Sequence, residues 1–253
     1  MTAFGAARKM LAATGMDDTR IDFISSYCDR WCERCAFTSR CSVYACEVAV
    51  GMCEDPREAL ELALGDPRPV DGAPESPIPD WLRDLSNDEP SAEELAEFTR
   101  REAERRARID QSPVVAMASA YWQIVDAWMN EHESSLGAAS NPVLAEALEV
   151  IRRDAIFVGA KLHRALDGRD RRQHDRDGDD DDDPVQNDWN GSAKIALISL
   201  NRSEAAWRAI AAATGNGGAA MLAEALRDLQ HLVHEEFPRA MSFVRPGFDE
   251  PWR

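Results

Sequence analysis

Lysine is almost missing from this chain: three residues, at 9, 161 and 194, among 29 basic ones. Positive charge is scarce too, since 46 acidic residues leave a formal net charge of −17. A surface of that sign repels a phosphate backbone, and the sequence therefore predicts no nucleic-acid partner. No apolar run approaches the roughly 20 residues needed to cross a bilayer, which predicts no membrane partner. The first fifteen residues carry two cations but no long apolar stretch, so they make a poor secretion signal and a cytoplasmic location is expected. Alternating strand patterns and internal repeats are also missing, and 3.6-residue periodicity runs almost continuously from residue 21. The expected fold class is all-α.

What is present is the composition of a folded protein: 44% hydrophobic residues, 30% charged residues and seven tryptophans. Residues 1–64 read as a helical cysteine-rich module, with helices predicted over 22–35, 41–53 and 55–64. Residues 65–90, rich in Pro, Gly and Asp, form a linker with one helical turn near Trp81 and Leu85. Residues 91–253 read as a helical bundle. Ser91 and Glu94 are a capping box for a charged helix 91–110, and four longer helices follow over 113–135, 142–167, 190–213 and 218–236. Short connections within each pair favour an antiparallel four-helix bundle, and 168–187 would be an acidic crossover loop. The aromatic, proline-rich C-terminal segment is expected to pack as an ordered tail, with presentation to a protein partner as the alternative.

Chemistry is demanded most clearly by Cys28, Cys32, Cys35 and Cys41, four cysteines in fourteen residues. On a helix the first three return to one face, and Thr38 and Ser39 favour a turn that brings the fourth sulfur back. Clustered cysteines in a reducing compartment point to a metal, and the nearby Arg30, Arg34 and Arg40 would stabilise thiolate charge. Ordinary burial of thiols is the simpler alternative. The ligands are consecutive, without a second separated pair, which favours an iron–sulfur cluster of the [4Fe–4S] type over zinc. In Cys28, Cys32 and Cys35 the spacing resembles the cluster motif of radical-SAM enzymes. Position 34 is Arg where that family carries an aromatic, a strand-rich barrel is missing, and a fourth cysteine would fill the open iron site, so membership is excluded. Cys46 and Cys53 would sit about 10 Å apart along a helix, beyond the roughly 7 Å reach of a disulfide, and are assigned to the core.

Lys161 and Lys194 fall in strongly apolar helices and need partners once buried. With Arg202, Asp154, Asp126 and Glu149 they form either a buried ion-pair network or an anion-binding or catalytic pocket. The helix start at Asp188–Ser192 offers backbone N–H groups for an anion or simply a cap. A di-iron site fails for want of two Glu-x-x-His motifs. The aspartates at 179–183 fail as a calcium loop, because a loop starting at Asp175 would place Asp180 and Gln186 where Gly and Glu are required. His231 and His234 read as a polar helix face or, less simply, as half of a metal site.

Three functions from different classes follow. The first is a four-cysteine metal protein serving electron transfer, sensing or structure, with a redox or protein partner. The second is an enzyme or small-anion binder built on the bundle charges, and the third is a protein–protein adaptor.

Overall fold

The computed structural model describes residues 20–21, 24–53, 55–64, 90–136, 141–174 and 183–249. The predicted turn near 81–85, almost all of the 65–90 linker and all but the last residue of the aspartate run lie outside them. Among the described residues the fold is all-α, with seven α-helices and no strand. They are α1 Ser42–Met52, α2 Pro56–Leu64, α3 Ala92–Asp110, α4 Pro113–His132, α5 Pro142–His174, α6 Asp188–Thr214 and α7 Gly217–Glu236. None is long and apolar enough to cross a membrane.

The chain separates into two compact units. One takes the described residues of Met1–Ser25 and Arg30–Arg101; the other takes those of Ser26–Asp29 and Glu102–Pro251. In the smaller unit α1 and α2 pack on each other through Ala45, Ala49, Ala59, Leu62 and Ala63, all buried. Alanine at four of five positions lets the two backbones approach closely. Cys46 and Cys53 pack against this cluster, and burial raises the Cys46 thiol above its ordinary pKa.

In the larger unit α4 packs on α5 and α7, and α6 packs on the same two helices. The centre belongs to α6, whose Ile195, Leu197, Leu200, Trp207 and Ile210 have no exposed surface. Capping follows the sequence signals. Asn187 and Asn216 accept the N–H groups of Asn190 and Ala219, each at 2.9 Å. Ser91 and Glu94 exchange the two bonds of a capping box, at 2.8 and 3.2 Å.

Two predicted boundaries are corrected. No α-helix forms over residues 24–35; single 3₁₀ turns stand at Ile24–Ser26, Cys32–Arg34 and Thr38–Arg40. Arg30 adopts φ of 57°, a left-handed backbone that a right-handed helix does not accommodate. The second correction is at α5, which continues to His174, taking in residues 168–174 of the expected crossover loop. Charge pairs hold this extension: Arg171 with Asp167 at 2.9 Å, Arg105 with Asp167 at 3.0 Å, Arg108 with Asp170 at 2.8 Å, and Arg169 with Glu236. In the C-terminal segment Phe237, Ala240 and Phe243 are buried. Gln186 exchanges two hydrogen bonds with the backbone of Val244, at 3.0 and 2.7 Å.

Candidate metal centre

With three residues per turn, a 3₁₀ segment places positions i and i+3 above one another. The turn Cys32–Arg34 is closed by Arg34 N–H to Trp31 O at 3.1 Å and Cys35 N–H to Cys32 O at 3.2 Å. The turn Thr38–Arg40 repeats this, with Arg40 N–H to Phe37 O at 2.9 Å and Cys41 N–H to Thr38 O at 3.3 Å. Each turn therefore ends on a cysteine whose backbone is extended, with ψ of 125° at Cys35 and 114° at Cys41. Cys41 is also the N-cap of α1.

Both of these sulfurs accept a backbone N–H. Phe37 donates to Cys35 Sγ at 3.4 Å, and Tyr44 donates to Cys41 Sγ at 3.4 Å. Donors aimed at sulfur are what a metal-bound thiolate uses to spread its charge. Cys32, Cys35 and Cys41 are each part-exposed, Cys28 is buried, and none of the six cysteines, all among the described residues, forms a disulfide. Cys28 belongs to the larger unit, while Cys32, Cys35 and Cys41 belong to the smaller. The predicted common helical face of Cys28, Cys32 and Cys35 does not form, because Arg30 breaks the backbone between them. Among the described residues no three His, Cys, Asp or Glu side chains converge closely enough to hold a metal ion.

Two of the neighbouring arginines have other partners. Arg30 pairs with Glu47 at 3.0 Å, and the Arg34 guanidinium lies 4.0 Å from the centre of the Trp31 ring. Trp31 itself is buried.

The charged residues of the larger unit are placed with three separate sets of partners. Lys161 Nζ donates to Ser26 O at 3.0 Å. Lys194 Nζ donates to Phe243 O at 2.5 Å and to Asp249 at 2.6 Å. Arg202 donates to Asp154 through Nε and Nη2, at 2.8 and 2.6 Å, and to Asp29 through Nη1 at 2.6 Å. Arg202 and Asp154 are thus brought together, while Lys161 is bonded to Ser26 O and Lys194 to Phe243 O and Asp249. Asp126 and Glu149 are exposed, and Asp126 accepts from Asn130 at 3.3 Å. Arg202 also borders an open groove of about 430 Å³, whose walls include Val143, Ala147, Val150 and Ala206. The start of α6 is occupied by its own residues, since Asn187 caps it and Asp188 pairs with Arg164 at 2.9 Å. His231 and His234 are exposed, on the polar face of α7.

Sequence reading did not find Asp29, Asp249 or Ser26 as the partners of these cations. All three lie between 55 and 173 positions away in the chain, where helical periodicity carries no information; their one local signal is that a buried cation requires an acceptor. No family model, curated protein or solved structure matches this chain.

Proposed function

We propose that this chain is a metal protein whose ligands include Cys32, Cys35 and Cys41 of the smaller unit. An iron–sulfur cluster is preferred to zinc, and such a centre suits electron transfer, sensing or structural support, with a redox or protein partner. The observation that carries this reading is the pair of tight turns that each end on a cysteine whose sulfur accepts a backbone N–H, at 3.4 Å in both cases. A metal completes the site in this reading, as thiolate centres commonly gather their ligands only when the ion binds. The packing of α4, α5, α6 and α7 in a closed cycle supports an antiparallel four-helix bundle as the scaffold. Six cysteines without a disulfide suit a reducing cytoplasm.

Anaerobic purification with elemental analysis and an absorption spectrum tests the proposal. Iron with inorganic sulfide and a broad visible absorption is the expected result, lost in C35S and C41S variants. Stoichiometric zinc in a colourless protein retains the site but replaces the cluster. Neither metal, even after anaerobic reconstitution, overturns the reading.

A further inference from the structure

The N-terminal half of α3 stands in solvent. From Ala92 to Arg101 every residue is exposed except the half-buried Glu97. Two of the exposed residues are large and apolar: Leu95 and Phe98 keep 51% and 63% of their surface in water. Three positions apart, they share one face of the helix. The local bonds that hold this half are the Ser91–Glu94 capping box and the pairing of Glu97 with Arg100 at 2.5 Å and with Arg101 at 2.7 Å. None of these bonds covers the apolar pair. Amphipathic helices draw most of their stability from packing the apolar face, so Leu95 and Phe98 are suited to a surface that closes on them.

The charges beside the pair select that surface. Glu93, Glu94 and Glu97 open the helix without a cation among them, and Arg100, Arg101, Arg105 and Arg106 follow. A helix with an acidic start and a basic continuation is complementary to itself when reversed, even in a chain of net charge −17. With Leu95 and Phe98 at the seam positions a and d of a helix pair, Glu94 and Arg101 take the flanking position g, and Thr99 and Arg106 take e. In a parallel pair g meets e of the other helix, which sets Arg101 against Arg106. In an antiparallel pair g meets g, and the two-fold axis makes the contact twice: Glu94 of each copy beside Arg101 of the other, with Leu95 on Phe98 between them. Arg101 keeps 75% of its side-chain surface in water, and its bond to Glu97 is a weak surface pair that exchanges readily.

We propose that the N-terminal half of α3 is a self-association surface, on which a second copy of this chain docks antiparallel through Leu95 and Phe98, in a register fixed by two Glu94–Arg101 pairs. The proposal does not depend on the metal reading. Two apolar side chains from each copy make a small seam, at the low end of specific interfaces, so the dimer is weak and reversible.

Analytical ultracentrifugation of the full chain between about 10 µM and 1 mM tests this. Wild type is expected to dimerise in that range, and less at high salt. F98S, a change at an exposed ring, is expected to raise Kd by about tenfold or more. R101E sets a carboxylate against Glu94 of the other copy and E94R sets a cation against Arg101, so each alone should raise Kd by about tenfold or more. Mixed in equal amounts, these two variants regain opposite charges at both contacts, and a heterodimer is expected with Kd within about threefold of wild type. E94R also breaks the capping box; circular dichroism reads any loss of helix, and the F98S and R101E comparisons stand without it. A wild type that is monomeric throughout the range overturns the proposal, as does a dimer indifferent to both F98S and R101E. An R101E dimer tighter than wild type reports the parallel pairing, in which Arg101 meets Arg106, and overturns the antiparallel assignment.

Discussion

Arg202 and Asp154 meet through two parallel bonds, Nε to Oδ2 at 2.8 Å and Nη2 to Oδ1 at 2.6 Å, around a carboxylate with no exposed surface. Burial pushes the Asp154 carboxyl above its usual range, and the guanidinium bonds pull against that shift. Removing the cation alone leaves the carboxylate buried without its strongest partner. R202M is expected to cost about 3–5 kcal/mol, whereas R202M/D154L should recover most of that loss by making the pair apolar. Urea unfolding of both variants checks this, and equal losses would refute it.

A second buried pair is neutral. Trp207 donates Nε1–H to the hydroxyl of Tyr121 at 3.0 Å, and both side chains are buried. Burial raises the Tyr121 phenol well above its ordinary pKa, so it is protonated at neutral pH. Y121F strands the indole donor and is expected to lower stability by about 1–3 kcal/mol. The urea midpoint should fall with the slope of the transition unchanged.

Asp249 makes stability depend on pH. Burial raises its carboxyl, but hydrogen bonds from Arg245 and Lys194 outweigh that and leave it well below the usual carboxylate range. A group whose pKa is depressed in the folded state contributes stability above its unfolded pKa, near 3.8, and loses it as pH falls through the lower folded value. D249N should therefore be less stable than wild type at pH 7, by about 1–2 kcal/mol. The two should converge as the pH drops below about 4. Thermal unfolding of both proteins between neutral and acid pH measures this, and a gap that persists undiminished in acid would count against the ion pairing.

Two glycines should respond in opposite directions to alanine. Gly215 ends α6 at φ of 68° and donates its N–H to Ala211 O at 2.8 Å. G215A forces a Cβ into the left-handed region and should cost about 1–2 kcal/mol. Gly159 lies inside α5, where an added Cβ meets nothing within 4 Å. G159A should stabilise the protein by about 0.5–1 kcal/mol. Melting temperatures of the two variants give the comparison directly.

Helix positions were readable from the chain because their signals are local. Pro113 and Pro142 stand at helix starts and Gly215 and Asn216 between two helices by rules that need no distant partner, while the start of α6 falls two residues before the predicted 190. The strongly apolar sequence around Lys194 likewise fits the central place of α6. The end of α5 was not readable: Gly168 looks like a terminator, and the bonds that carry the helix past it come from Arg105 and Arg108 of α3 and from Glu236 at the end of α7. At the cysteines, spacings of four and three matched an α-helix, but Arg30 took a backbone conformation that its residue type does not advertise. The chemistry of the cysteine stretch was legible from density alone; its geometry, two short turns with N–H donors on sulfur, was not. The buried cations were identifiable as residues in need of acceptors, while the identity of each acceptor depended on tertiary packing.

The methyl group that Gly191 lacks has a consequence for how this sequence can drift. Its place is taken by the ring of Tyr27, 164 positions earlier in the chain. Any substitution that adds bulk at 191 must be matched by a smaller side chain at 27, and a smaller residue at 27 opens a void that a larger residue at 191 can fill. The two positions are thereby bound to change together, and sister sequences should show them as a covarying pair even where little else of the chain is retained.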